Sequence, residues 1–119
     1  MPEFSILVVE DDTMLSLAME DILQKLGWKN LAFAFDLSSA LEIVEKRRFS
    51  IAFLDVDLNG ELSLPVARKL RQKDTPWFFT TGFGSRFDYE DLQDAPIIRK
   101  PYSEKDIEQA ILTVQADQA

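Results

Sequence analysis

The sequence predicts an α/β fold, a doubly wound five-stranded parallel sheet. Three observations carry that expectation. Short, continuously apolar runs recur along the chain, as strands buried on both faces require. Stretches with apolar residues at helical spacing separate them. Acids, hydroxyls and a lysine stand directly after the apolar runs, at the places where such strands would end.

The first run is Ile6-Leu7-Val8-Val9. After it, Leu15, Ala18, Met19, Ile22 and Leu26 fall on one helical face, with Asp12 and Thr13 as cap and Gly27 as stop. Leu31-Ala32-Phe33-Ala34-Phe35 is a weaker strand candidate. Ser38 or Ser39 is expected to cap a helix carrying Ala40, Leu41 and Val44. The third run is Ile51-Ala52-Phe53-Leu54. Ser63 followed by Pro65 opens a helix through Val66, Ala67 and Leu70. Trp77-Phe78-Phe79 and Ile97-Ile98 supply the last two strands. Ser103 caps a final helix with Ile107, Ala110, Ile111 and Val114 on one stripe. Between the last two strands, Gly82 to Arg86 carry no helix signal, and only Phe87 to Gln93 could form a short helix. The fourth helix is therefore expected to be short, mobile or absent.

The length of 119 residues suits one domain, residues 1–119. Apolar residues at 46% and charged residues at 29% indicate a globular chain. A net charge of −8 repels nucleic-acid phosphates and anionic lipid, so no nucleic-acid or membrane partner is expected. The chain contains no Cys and no His, which excludes disulfides, thiol catalysis, His-based triads and the usual zinc sites. Neither a leader nor a membrane span is legible, and a cytoplasmic monomer is expected.

Glu10, Asp11 and Asp12 directly follow the first strand, and Asp55 follows the third. Thr80 and Thr81 end the fourth, and Lys100 ends the fifth. The C-terminal ends of strands form the ligand-binding edge of an open parallel sheet. Carboxylates, a hydroxyl and a lysine converging there suit a divalent cation together with a phosphoryl group, because a hard cation takes oxygen ligands and an ammonium attracts phosphate. Two other motif readings are weaker. The stretch from Asp55 to Gly60 begins like an EF-hand loop, but Val66 stands where the bidentate Glu belongs. The same Asp-x-Asp resembles the core of haloacid-dehalogenase-type phosphatases, which are longer chains.

Four ordered motifs carry a family resemblance. They are Leu-Val-Val-Glu-Asp-Asp at residues 7–12, Phe-Leu-Asp-Val-Asp at 53–57, Phe-Thr-Thr-Gly at 79–82 and Arg-Lys-Pro at 99–101. Over essentially its whole length the chain resembles a response-regulator receiver. The resemblance implies a flavodoxin-like sheet of order 2-1-3-4-5 and Mg2+-dependent phosphorylation of Asp55 by a histidine kinase. It implies Asp11 as a direct Mg2+ ligand, Glu10 acting mainly through water, and Asp57 offering its backbone carbonyl. Lys100 would pair with Asp55 and then with the phosphoryl group, and Thr81 would hydrogen-bond a phosphoryl oxygen, with Thr80 the competing hydroxyl. No turnover of a diffusible product is implied, so the protein is expected not to be an enzyme in that sense. A downstream protein or phosphotransfer protein would be the second partner.

Pro76 to Gly84 also resembles the Phe-Ala-Thr-Gly-hydrophobic-Tyr signature of a single-domain receiver subfamily served by kinases of the HWE type, although Thr80 and Gly84 depart from it. A non-phosphorylated scaffold and a small phosphohydrolase are the competing functions. Ile97 stands where receivers usually carry a Tyr or Phe that swings inward. With that ring missing, phosphorylation is expected to order the loop from Gly82 to Gln93. Phe83, Phe87 and Tyr89 are expected to pack over the sheet edge or to serve docking.

Overall fold

The computed structural model describes residues 3–82, 92 and 95–118. In chain order the elements are β1 (Ile6–Val9), α1 (Thr13–Lys25), β2 (Leu31–Ala34), α2 (Leu37–Lys46), β3 (Ile51–Asp55), β4 (Asp57–Leu58), β5 (Glu61–Leu62), α3 (Leu64–Gln72), β6 (Trp77–Thr81), β7 (Ile97–Arg99) and α4 (Glu104–Gln118). The main sheet has the order β2-β1-β3-β6-β7, and all its described pairings are parallel. This is the predicted 2-1-3-4-5 arrangement, with β6 and β7 as its fourth and fifth strands.

The continuous apolar runs are explained by burial on both faces. Along β1, Leu7 and Val9 enter one core cluster, whereas Ile6 and Val8 enter the other. The first cluster joins the sheet to α2 and α3 through Ala40, Val44, Val66, Ala67 and Leu70. The second joins it to α1 and α4 through Met19, Leu23, Ile107 and Ile111. Burying each Leu, Ile or Phe of these layers contributes about 1.5–3 kcal/mol. β2 lies at the sheet edge and is only partly buried over Leu31, Ala32 and Phe33, which is why its signal was weaker.

Capping follows local chemistry. Asp12 is the N-cap of α1, its carboxylate accepting from the amides of Met14 and Leu15 at 2.9 and 3.2 Å. The helix ends at Gly27, whose φ of +97° permits the Trp28 amide to donate to the Leu23 carbonyl and the Gly27 amide to the Gln24 carbonyl. Ser103 and Asp106 form a reciprocal capping pair at the start of α4, each side chain accepting from the other's amide.

Two local expectations are corrected. Asp36, rather than Ser38 or Ser39, caps α2, its carboxylate accepting from the Ser39 amide at 2.7 Å. A carboxylate is the stronger acceptor at a helix N-terminus, and the Ser39 hydroxyl donates to it instead of capping. On α1, Ala18 is exposed, and the buried stripe runs through Ser16, Met19 and Leu23. Met19 and Leu23 are fully buried, and Ile22 and Leu26 pack against the same cluster, which leaves the Ala18 position turned to solvent.

The C-termini of α2 and α3 are tied together. The Lys73 ammonium, just past α3, donates to the Val44 carbonyl and, at 3.1 Å, to the Glu45 carbonyl in the last turn of α2. Arg48 returns the link by donating to the Lys73 carbonyl at 2.7 Å. These carbonyls would otherwise lack partners at the negative end of the helix. Lys73→Met should cost about 1–2 kcal/mol in urea unfolding, by loss of charge-assisted hydrogen bonds. A loss below a few tenths of a kcal/mol would show the tie to be unimportant.

Candidate functional site

The sheet delivers the expected polar residues to one edge. Glu10 directly follows β1, and its amide extends the β1–β2 ladder by donating to the Ala34 carbonyl at 3.1 Å. Its side chain is turned into the protein, leaving the residue 3% exposed. Asp55 closes β3 and is 7% exposed, while Asp11 is half-buried at the mouth. One carboxylate oxygen from each of Glu10, Asp11 and Asp55 lies within 4.8 Å of the other two.

Lys100 is brought in from the far side of the sheet. β7 pairs with β6, and the Lys100 amide donates to the Thr81 carbonyl at 2.8 Å, which extends that pairing. The Lys100–Pro101 peptide is cis. The lysine ammonium lies 2.9 Å from Glu10 Oε1 and 3.0 Å from Asp55 Oδ2, bridging two acids that are distant in sequence. The other oxygen of Asp55, Oδ1, accepts from the Asp57 amide at 3.3 Å. Glu10 Oε2 accepts from the Asp12 amide at 3.2 Å.

Burial raises the Glu10 carboxyl to a pKa of about 7, and the neighbouring Asp55 adds to the rise against the opposing effect of Lys100. Burial would lower the Lys100 pKa, but its bonds to Glu10 and Asp55 outweigh that and raise it. The ammonium therefore stays charged and neutralises part of the acidic cluster. Closely held hard oxygen donors with surplus negative charge fit a divalent cation of the Mg2+ type.

Thr80 and Thr81 are both buried at the end of β6. Thr80 lies opposite Asp55 in the sheet, and the Thr81 hydroxyl has a long 3.5 Å contact to the Gly82 carbonyl. The Asp57 carboxylate stands apart from the three-acid cluster and accepts from the Gly60 amide at 2.8 Å. Ile97 lies on β7 and is 47% exposed. Residues 83–91, 93 and 94 lie outside the described structure, and with them the expectations for Phe83, Phe87, Tyr89, the fourth helix and most of the 82–93 loop.

Two features were missed in sequence. One is the β4–β5 hairpin, whose turn residues Asn59 and Gly60 have φ of +55° and +92°. Asn-Gly is a strong hairpin signal, and here it lies within the acidic stretch from Asp55 to Glu61. The other is Tyr102, packed against the α1–α4 side of the core. Its hydroxyl is pushed up to about 12, first by burial and then by Glu10, so it lies within the electric field of the site.

The model of the response regulator receiver domain family matches residues 6–112. The chain belongs to this family. Among solved receivers, the solution structure of SdrG from Sphingomonas melonis Fr1 is 31% identical, with a TM-score of 0.82 over 95% of this chain and 97% of SdrG. The receiver domain of PhyR from Erythrobacter litoralis is 25% identical, with a TM-score of 0.80 over 95% of this chain and 90% of that one. The transcriptional regulatory protein YvrH of Bacillus subtilis is 28% identical over 89 residues, which is 74% of this chain and 38% of YvrH. This receiver thus spans well under half the length of that curated relative. Among the described residues, no helix is long and apolar enough to cross a membrane.

Proposed function

We propose that this receiver is a phospho-signalling switch or phosphate sink that accepts a phosphoryl group on Asp55 in a Mg2+-dependent reaction. The observation that carries the reading is the Lys100 ammonium bridging Glu10 and Asp55 beside three converging carboxylates. Glu10, Asp11, Asp55 and the Asp57 carbonyl would hold the cation. When bound, Mg2+ supplies positive charge that offsets repulsion between the attacking carboxylate and the phosphoryl oxygens.

The chain's own groups account for the remaining steps. A carboxylate oxygen of Asp55 attacks phosphorus as the bond to the donor breaks, and the bonding pair leaves with the donor. The donor is a phosphohistidine of a histidine kinase or a small acyl phosphate. Lys100 then follows the negative charge from Asp55 to a phosphoryl oxygen, and the Thr81 hydroxyl donates to another. The product is a mixed anhydride, which water later cleaves to inorganic phosphate and free Asp55. Self-modification of this kind turns over no diffusible product, so the chain is not an enzyme in the ordinary sense. Receiver domains partner with histidine kinases or phosphotransfer proteins, and the Pro76 to Gly84 signature favours a kinase of the HWE type here.

The test is intact mass after incubation with Mg2+ and a small acyl phosphate. One phosphoryl adduct is expected, and a chelator should prevent it. An unmodified mass under conditions that phosphorylate another receiver would reject the proposal in favour of the scaffold reading.

A further inference from the structure

We propose that the β4–β5 hairpin is the positioning element of the cation site, with the Asp57 side chain and the Asn59-Gly60 turn holding the Asp57 backbone carbonyl toward the carboxylates. The inference rests on the reading of the Glu10, Asp11 and Asp55 cluster as a Mg2+ site, and adds the Asp57 side chain and the Asn59-Gly60 turn, which support the Asp57 carbonyl without touching the ion.

The direction of the Asp57 carbonyl follows from the hairpin's register. Asp57 faces Leu62 and Leu58 faces Glu61, and just before them the Ser63 amide donates to the Val56 carbonyl at 2.9 Å. Hydrogen-bonded and non-hydrogen-bonded pairs alternate along an antiparallel ladder. The Asp57–Leu62 pair follows a hydrogen-bonded one, so the amide and carbonyl of Asp57 point away from β5. Their direction is set by the Asp57 amide, which donates to Asp55 Oδ1 at 3.3 Å. In an extended residue the carbonyl lies on the same side as the amide, so it too faces the acidic cluster.

Burial of the strand and a side-chain bond at the turn keep it there. Val56 and Leu58, 5% and 2% exposed, anchor the strand in the α2–α3 side of the core. At the other end, Asp57 Oδ1 accepts from the Gly60 amide at 2.8 Å and closes the turn on its own strand. The positive φ of Asn59 and Gly60 is the backbone geometry that a two-residue hairpin needs. The Asp57 side chain is thereby occupied in bracing the turn, and the main chain of the same residue is left to serve the site. A carbonyl dipole held in advance does not have to be ordered when the cation binds.

Titration calorimetry of Mg2+ into the unphosphorylated protein tests this without recourse to phosphorylation. Asp57→Asn keeps a side-chain oxygen for the Gly60 amide, and Asp57→Ala removes it. Gly60→Ala keeps Asp57 but strains a residue at φ +92°; an added Cβ there meets nothing within 4 Å, so the change acts through the backbone. Asp57→Ala and Gly60→Ala should weaken Mg2+ binding on the order of tenfold, in the range seen when a support of a metal ligand is lost. Asp57→Asn should bind like the parent, and thermal unfolding should remain cooperative in each variant. Should Gly60→Ala fail to fold, the Asn and Ala pair at position 57 still decides the matter. Equal weakening by those two would overturn the proposal, because charge rather than bracing would then matter. Parent-like binding in Asp57→Ala and Gly60→Ala, with weakened binding in Asp11→Asn, would also overturn it while leaving the cation site intact. Unchanged binding in Asp11→Asn would remove the site reading itself.

Discussion

Asp55→Asn is expected to abolish the phosphoryl adduct entirely while leaving the fold intact. The carboxamide has nearly the size and shape of the carboxylate, so the end of β3 need not move. Its oxygen can still accept from Lys100, now 3.0 Å from Asp55 Oδ2. What it lacks is an anionic oxygen able to attack phosphorus. Glu10 is largely enclosed, and Asp11 stands at the end of another strand, so neither offers an equivalent nucleophile at the same place. Removing one negative charge from three clustered acids should also relieve repulsion and leave the metal-free protein at least as stable. Intact mass with Mg2+ and acyl phosphate, together with circular dichroism, reads both outcomes. An adduct that persists in the mutant and maps to Glu10 or Asp11 would move the acceptor away from Asp55.

The second large effect concerns pH. Glu10 is raised from 4.5 to about 7 in the folded protein. Below about pH 4.5 it is protonated in both states and contributes no pH dependence. As pH rises from there, the unfolded chain loses the proton first, and the folded chain holds it until about 7. The native state binds more protons through that window, so the metal-free receiver should lose stability as pH rises from 4.5 to about 7. At about 1.4 kcal/mol per pKa unit the loss is at most ~3 kcal/mol, shared among the coupled Glu10, Asp55 and Lys100. Asp36 and Glu45, lowered by the Ser39 bonds and by Lys69 respectively, act in the opposite sense, losing stability as pH falls. They titrate below this window and do not mask it. Glu10→Gln should flatten the slope, and Mg2+ should restore stability mainly at the upper end, where Glu10 is anionic. Urea unfolding across the window measures this. Stability that rises with pH, or a slope unchanged in Glu10→Gln, would contradict the burial of an acid in need of a counter-charge.

Much of this receiver was readable from residue order because its governing interactions are local or periodic. Ile6 to Val9 and Ile51 to Leu54 are apolar at every position, and only a strand covered on both faces buries them all. Ser63 and Ser103 mark helix starts, although the Ser63 hydroxyl is buried among the described residues without a hydrogen-bond partner. Strand ends place Glu10, Asp11, Asp55 and Lys100 on one edge once the sheet order is known. The cap of α2 was less legible, since Asp36, Ser38 and Ser39 can all cap and their competition is settled by backbone geometry.

Tertiary structure alone decided how those groups act on one another. The distance from the Lys100 ammonium to both Glu10 and Asp55 depends on β1, β3 and β7 being held in a single sheet. The raised carboxyl of Glu10 depends on what encloses it, and the raised hydroxyl of Tyr102 shows the same field from the other side. The outward turn of the Asp57 backbone depends on the register of a hairpin anchored by Val56 and Leu58. Burial and charge interactions sum over neighbours far apart in the chain. Residue order therefore names the groups of the site, whereas their charge state and direction follow from the packed sheet.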